Sequence, residues 1–170
     1  DRILEQLSHV PGINLWSGLL TGGLQNFIND APPAAKILAG ELAGTQSFYD
    51  FCNGHERIEM APTTVTHDIA KVASLPKFTS INSALEVDLQ GQSNGEAIGR
   101  LQISGVGGSL DYIEAANASD GGISVIALAS TTANGKHSKI VGGFGQGAIV
   151  TTPRYCTDYV VTEYGIARLR

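Results

Sequence analysis

Short apolar runs broken by glycine-bearing turns recur along the whole chain, and this pattern limits the fold more than any other feature. Of 170 residues, 21 are glycine, well above the usual share of roughly 7%. They cluster between apolar stretches and show no collagen-like or linker period. Such a chain is built for many tight strand-to-loop turns, some able to hold a ligand. The apolar stretches, including 123–129, fall far short of the ~20 residues a membrane span needs, so no membrane contact is expected. Hydrophobic residues make up 42% and charged residues 16%, and mean hydropathy is +0.05. These values predict a folded domain rather than a disordered one. The length fits one domain, 1–170, with a real core.

Charge and cysteine narrow the function classes. Net charge is −5 and no Lys/Arg run occurs. A nucleic-acid partner is therefore not expected, because phosphate neutralisation needs clustered cations. Cys52 and Cys156 are too few for a disulfide scaffold and fit a reducing, cytoplasmic compartment. The first residues, Asp1-Arg2-Ile3-Leu4-Glu5-Gln6-Leu7, form an amphipathic start rather than a signal peptide. With no initiator Met, the chain reads as a fragment of a longer protein.

Local patterns predict helices over 2–8, over a segment capped by Thr21 and running to Phe27, over 46–52 behind an N-cap at Thr45, and over 68–74. Strands are predicted over 13–20, 35–42 and 57–60. From Lys77 the texture changes. Residues 78–88 alternate apolar and polar side chains at period two, which predicts a strand. Residues 91–108 are turn-rich, and Ser109 is placed to cap a helix over 110–118. The run 123–129 has the look of a strand buried on both faces. Shorter strands follow at 140–141, 148–151 and 158–162. Together these predict an α/β domain with a mixed or largely parallel sheet flanked by helices.

The sharpest local signal is Ser104-Gly105-Val106-Gly107-Gly108-Ser109-Leu110-Asp111-Tyr112. Clustered glycines can turn successive backbone N–H groups toward one point, and a helix N-terminus behind them adds partial positive charge. Such a turn can hold phosphate or an oxyanion. It is neither a dinucleotide fingerprint, because Leu110 stands at the third glycine position, nor a P-loop, because no Lys-Ser/Thr pair follows. On pattern alone it is consistent with a purely structural strand–turn–helix or with a ligand turn. The segment Gly142-Gly143-Phe144-Gly145-Gln146-Gly147 reads as a flexible connection. His9, His55, His67 and His137 are scattered, and Cys52-x-x-His55 lacks a second ligand pair, so no metal is expected. Cys52, beside Phe48 and Phe51, reads as core rather than nucleophile. Trp16 reads as packing. No Gly-x-Ser-x-Gly elbow is present.

Longer segments add to this. Ile81-Asn82-Ser83-Ala84-Leu85-Glu86-Val87-Asp88-Leu89-Gln90-Gly91-Gln92, followed by Ser104-Gly105-Val106-Gly107-Gly108, resembles the acetyl-CoA hydrolase/transferase family. Ile126-Ala127-Leu128-Ala129-Ser130-Thr131-Thr132, Ser138-Lys139-Ile140-Val141 and Tyr159-Val160-Val161-Thr162-Glu163-Tyr164-Gly165 continue the resemblance in order. It implies a CoA-transferase-like fold and the C-terminal domain of a two-domain enzyme, its N-terminal domain being a partner, with a homo-oligomer as the family's habit. The substrates implied are coenzyme A as an acyl-CoA, and a carboxylic acid. In the family's chemistry a glutamate attacks the thioester, giving an enzyme-bound acyl intermediate (an acyl-glutamyl anhydride) and free CoA thiolate; the thiolate returns to form a glutamyl-CoA thioester, which a second carboxylic acid, or water in a hydrolase, resolves.

The resemblance assigns roles. Gly105, Val106, Gly107 and Gly108 contact the cofactor portion, and Gly107 or Gly108 donates to the thioester oxyanion. Asn94 lies beside the reacting carboxylate, and Glu163 belongs to the polar network around it. The alternative for Glu163 is an acid at a strand end facing water. One position departs from the pattern. The family's nucleophilic glutamate corresponds to Gly18, in Trp16-Ser17-Gly18-Leu19, and glycine cannot attack a thioester. The rival expectation is therefore a non-catalytic CoA-binding or assembly domain.

Overall fold

Glycine and proline stops make the early elements short, and each buries one apolar face. The computed structural model describes residues 2–170. They form two compact units, divided between Asp68 and Ile69.

In the first unit α1 (Arg2–Leu7) precedes β1 (Leu15–Leu20), α2 (Gly23–Asp30), β2 (Ile37–Leu42), α3 (Gln46–Cys52), β3 (Ile58–Met60) and α4 (Thr63–Thr66). The strands pair in the order β1-β2-β3, all parallel. Parallel neighbours require crossovers, which α2 and α3 supply. Leu24, Phe27, Ile37, Ala39 and Phe48 are almost wholly buried between sheet and helices. Each large side chain so buried contributes about 1.5–3 kcal/mol. Thr45 caps α3 as expected, its Oγ1 accepting from Phe48 N at 3.3 Å. The α2 cap differs: Gly22, not Thr21, is the N-cap residue, and the helix runs on to Asp30. Arg57 satisfies the far end of α2 by donating to Pro32 O at 3.1 Å and to Ile28 O. A guanidinium among the last carbonyls suits the negative end of the helix dipole.

The second unit holds α5 (Ile69–Ala73), β4 (Thr79–Asn82), β5 (Glu86–Asp88), β6 (Ser93–Asn94), β7 (Ala97–Ile98), β8 (Leu101–Gln102), α6 (Ser109–Ala118), β9 (Ile123–Ala127), β10 (Ile140–Val141), a 3₁₀ turn at Arg154–Cys156, β11 (Tyr159–Thr162) and β12 (Gly165–Arg168). Its main sheet runs β12-β11-β9-β4. The β4, β9 and β11 strands are parallel, and β12 folds back antiparallel. A smaller sheet, β10-β5-β6, mixes one parallel with one antiparallel pair. Helix α6 packs on β9 and β4, burying Ile113, Ala115 and Ala116 near Ile126 and Val160. The mixed, parallel-rich sheet flanked by helices agrees with the expectation.

Three further local expectations are corrected. The strand over 78–88 is two strands in different sheets. Pairing with β9 ends at Asn82 opposite Ile126, and Leu85 N then turns to Asn94 O at 2.8 Å. Period-two alternation continues across such a switch, so the pattern could not reveal it. Gly108, not Ser109, is the N-cap of α6, and Ser109 Oγ instead donates back to Val106 O at 2.9 Å. Residues 148–151 form no strand; the chain there joins its neighbour through one antiparallel bridge, Ser93 opposite Thr152. No helix among the described residues is long and apolar enough to cross a membrane.

Candidate functional site

The β7–β8 hairpin delivers the chain into the glycine turn. Ile103 N and Ser104 N both donate to Glu96 O, at 2.7 and 3.1 Å, which anchors the start of the turn. Gly107 then takes φ +55°, the left-handed region where glycine alone is unstrained. Tyr112 N is the first amide to return to the chain, at 3.2 Å from Gly108 O. Among the described residues, the backbone N–H groups from Gly105 to Asp111 donate to no protein acceptor. This stretch includes the open donors that begin any helix, and the positive end of the α6 dipole lies behind them. Asp111, in the first turn of α6, is the acid nearest to them in sequence. Residues 104–107 are exposed, so the turn is reachable from outside.

Beside the turn lies a cavity of about 160 Å³. Ser104, Gly105, Val106 and Ser109 line one side; Asn82, Ser93, Gly95, Thr151 and Thr152 contribute to the rest. Thr151 fixes its wall by accepting from Gly95 N at 2.8 Å and donating to Glu96 Oε2 at 2.9 Å. Ser93 and Thr152 exchange backbone bonds at 3.0 Å each way. Among the described residues, no charged side chain lines the cavity. Its chemistry is that of hydroxyls, one amide and backbone N–H groups.

The residues singled out from the sequence are only partly brought together. Gly105 and Val106 line the cavity, and Gly107 and Gly108 continue the same turn into α6. Asn94 follows Ser93 of the cavity wall, but its own amide is engaged internally. It donates to Glu86 Oε1 at 2.9 Å and Ala97 O at 2.7 Å, and accepts from Glu96 N at 3.1 Å and Ala97 N at 3.0 Å. Every donor and acceptor of that side chain has a partner. Glu163 is exposed in the β11–β12 turn, outside the cavity lining. It accepts from Ser130 Oγ at 2.6 Å and Ser130 N at 2.8 Å, and these bonds hold its carboxyl below the usual range.

Gly18 lies in β1 of the first unit, half-buried, with Gly40 of β2 beside it. A Cβ on Gly40 would meet Gly18 O at 2.9 Å and Thr66 Oγ1 at 3.0 Å. Trp16 donates its indole N–H to Thr66 O at 2.8 Å, so it packs against α4 as expected. Both cysteines are buried and free; burial pushes the Cys52 thiol up. Burial also raises Cys156, with a smaller contribution from Glu114 and a lowering one from Arg170. Cys52 belongs to the core of its unit, in line with the sequence reading.

Sequence reasoning missed Ser93, Thr151 and Thr152. They meet only through a bridge between distant segments, which local patterns do not record.

Comparison with known proteins now bears on the geometry. The sequence pattern of the acetyl-CoA hydrolase/transferase C-terminal domain matches residues 44–170. The 4-hydroxybutyrate coenzyme A transferase of Clostridium kluyveri is 38% identical over 178 residues, covering 100% of this chain and 42% of the relative. The crystal structure of RipA from Yersinia pestis superposes with a TM-score of 0.86 at 31% identity, over 99% of this chain and 40% of that one. A 4-hydroxybutyrate CoA-transferase from Porphyromonas gingivalis gives a TM-score of 0.77 at 31% identity, again over 99% and 40%. The chain thus spans about two fifths of the length of these relatives. By sequence and by its CoA-transferase-like α/β fold, the chain belongs to the acetyl-CoA hydrolase/transferase family, residues 44–170 matching the pattern of its C-terminal domain.

Proposed function

We propose that the full-length protein transfers coenzyme A between carboxylic acids, and that this chain, its C-terminal domain, supplies one wall of the acyl-CoA site. The observation that carries this is the run of unpaired backbone N–H groups from Gly105 to Asp111 beside a polar cavity. A thioester carbonyl acquires negative charge on oxygen when a carboxylate attacks its carbon. Fixed N–H donors stabilise that charge without reorganising, and one such donor is worth about 3–4 kcal/mol in turnover. Gly107 and Gly108 are the assigned donors, with Gly105 and Val106 forming the approach. When an enzyme carboxylate is the attacking group, the tetrahedral species collapses by expelling the CoA thiolate and leaves an acyl anhydride on that carboxylate. The thiolate then attacks the enzyme's own carbonyl carbon, releasing the first acid and forming an enzyme–CoA thioester. The incoming acid resolves that thioester by the same two steps in reverse, or water hydrolyses it in a hydrolase. Asn94 acts indirectly, by holding Glu86 and the 94–97 turn in place. Glu163 fixes the Ser130 loop. No metal takes part; the N-terminal domain closes the cleft, and a homo-oligomer in the cytoplasm is the working form.

Gly18 favours a second reading, a CoA-binding or assembly domain without its own nucleophile. The full-length protein with acetyl-CoA, with and without a carboxylic acid, separates the two. Acid-dependent exchange supports the transferase, and thiol release without acid supports a hydrolase. CoA binding with neither leaves the non-catalytic reading, which gains further if Gly18→Glu creates exchange. Gly18 lies outside the left-handed region, so a side chain there meets no φ strain.

A further inference from the structure

We infer that Asn53 is a site of spontaneous covalent modification: its side-chain amide closes on the backbone nitrogen of Gly54, loses ammonia, and reopens as aspartate or isoaspartate. This chemistry is independent of the transferase reading. Asn-Gly pairs stand at 53–54, 94–95 and 134–135. Glycine has no side chain to hold its nitrogen away from the amide before it, so the three pairs are alike in an unfolded chain. The fold separates them.

In the step itself Gly54 N gives up its proton to hydroxide and attacks Asn53 Cγ. The carboxamide nitrogen leaves as ammonia, and a cyclic imide remains. Water then opens the ring at either carbonyl. One opening restores the original main chain with an aspartate side chain; the other routes the main chain through the former side-chain carbonyl, which is isoaspartate. Nothing is oxidised or reduced, and water is the only co-reactant.

Asn53 is the C-cap residue of α3, in extended backbone at φ −66° and ψ 114°. It and Gly54 are exposed. Among the described residues, the Asn53 side chain makes no hydrogen bond and Gly54 N donates to no acceptor. Gly54 has φ +71° and open space around the place of a Cβ, so the ring has room to close. Asn134 is also exposed but is tied down. Its Oδ1 accepts from Thr132 Oγ1 at 2.8 Å and Lys136 N at 3.0 Å, and Gly135 N donates to Thr132 O at 2.8 Å. Asn94 is fully buried, with both side-chain atoms bonded, and its attacking group, Gly95 N, donates to Thr151 Oγ1 at 2.8 Å. That pair reacts only when these bonds open together. The order of reactivity is therefore Asn53, Asn134, Asn94. Isoaspartate at 53 lengthens the main chain by one methylene just before Arg57, whose guanidinium closes the end of α2 and whose carbonyl accepts from Ile37 N at 2.9 Å. The new carboxylate also sits at the negative end of α3. The modified first unit should be the less stable one.

The test incubates the native full-length protein at neutral and at mildly alkaline pH, then digests it at mildly acidic pH, where ring closure is slow. Mass spectrometry with fragmentation that tells isoaspartate from aspartate follows the peptides bearing each Asn. The Asn53 peptide is expected to convert at least about a hundredfold faster than the Asn94 peptide, with Asn134 between them. Conversion should quicken at the higher pH and yield both acids. In denaturant the three rates should draw together, and Asn53→Gln should remove the modification from its peptide. An Asn53 that stays intact while the denatured chain converts, or that lags behind Asn134 or Asn94 in the native protein, overturns the inference. So does aspartate without isoaspartate, which would mean direct hydrolysis without the ring.

Discussion

Gly107 and Gly105 sit two residues apart and answer to different constraints. Gly107 has φ +55° with open space where a Cβ would stand, so its cost on substitution is conformational rather than steric. Gly107→Ala is expected to lower unfolding free energy by about 1 kcal/mol in a denaturant titration. Gly105 lies outside the left-handed region and also faces open space, but it lines the cavity. Gly105→Val should therefore stay within about 0.5 kcal/mol of wild-type stability while lowering kcat/KM by at least about tenfold, because the methyls fill the approach to the amides. Asn94 is the opposite case. Asn94→Ala strips partners from two backbone N–H groups, a carbonyl and the Glu86 carboxylate, and should cost about 2–4 kcal/mol in the same titration. Glycine's freedom is a local property, so the turn was legible in the sequence. The saturation of Asn94 comes from neighbours within eight residues but needs β5 and β6 to pair, and Ser93 meets Thr152 across distant backbone; neither was legible.

Elements show the same division between local and distant causes. The α3 helix was legible because Thr45 caps it within four residues. The switch of residues 78–88 from one sheet to another was not, because each half pairs with strands far along the chain. In the first sheet, β1 and β2 approach closely where Gly18 and Gly40 lie side by side under Thr66. Gly40→Ala should destabilise the protein by about 1–3 kcal/mol, seen as a lower Tm, since both atoms it would strike are held in the fold. Survival of the wild-type Tm would mean the sheet relaxes at this point and that Gly18 is less confined than it looks.

At the scale of the molecule, the chain forms two compact units, and each buries a core of its own. The boundary at Asp68 falls inside a stretch read as helix, with no glycine or proline linker to mark it. Stability of the second unit should depend on pH through Asp158. Burial pushes its carboxyl up, but hydrogen bonds from Arg170 and from Ser124 outweigh that and leave it below the usual range. A depressed native pKa contributes stability above the unfolded value of about 4, and that contribution is lost as pH falls through the native one. Asp158→Asn should thus be less stable than wild type at pH 7, and the gap should close below about pH 4. A gap that stays constant with pH would assign Asp158 a packing role alone.

The amides of the glycine turn carry the functional account, and a crystal structure of the full-length protein with a hydrolysis-resistant acyl-CoA examines them most directly. The account predicts the thioester carbonyl oxygen, or its surrogate, within about 3 Å of a backbone nitrogen between Gly105 and Gly108. A thioester bound elsewhere, with those nitrogens turned to solvent or capped by another segment of the protein, would contradict it.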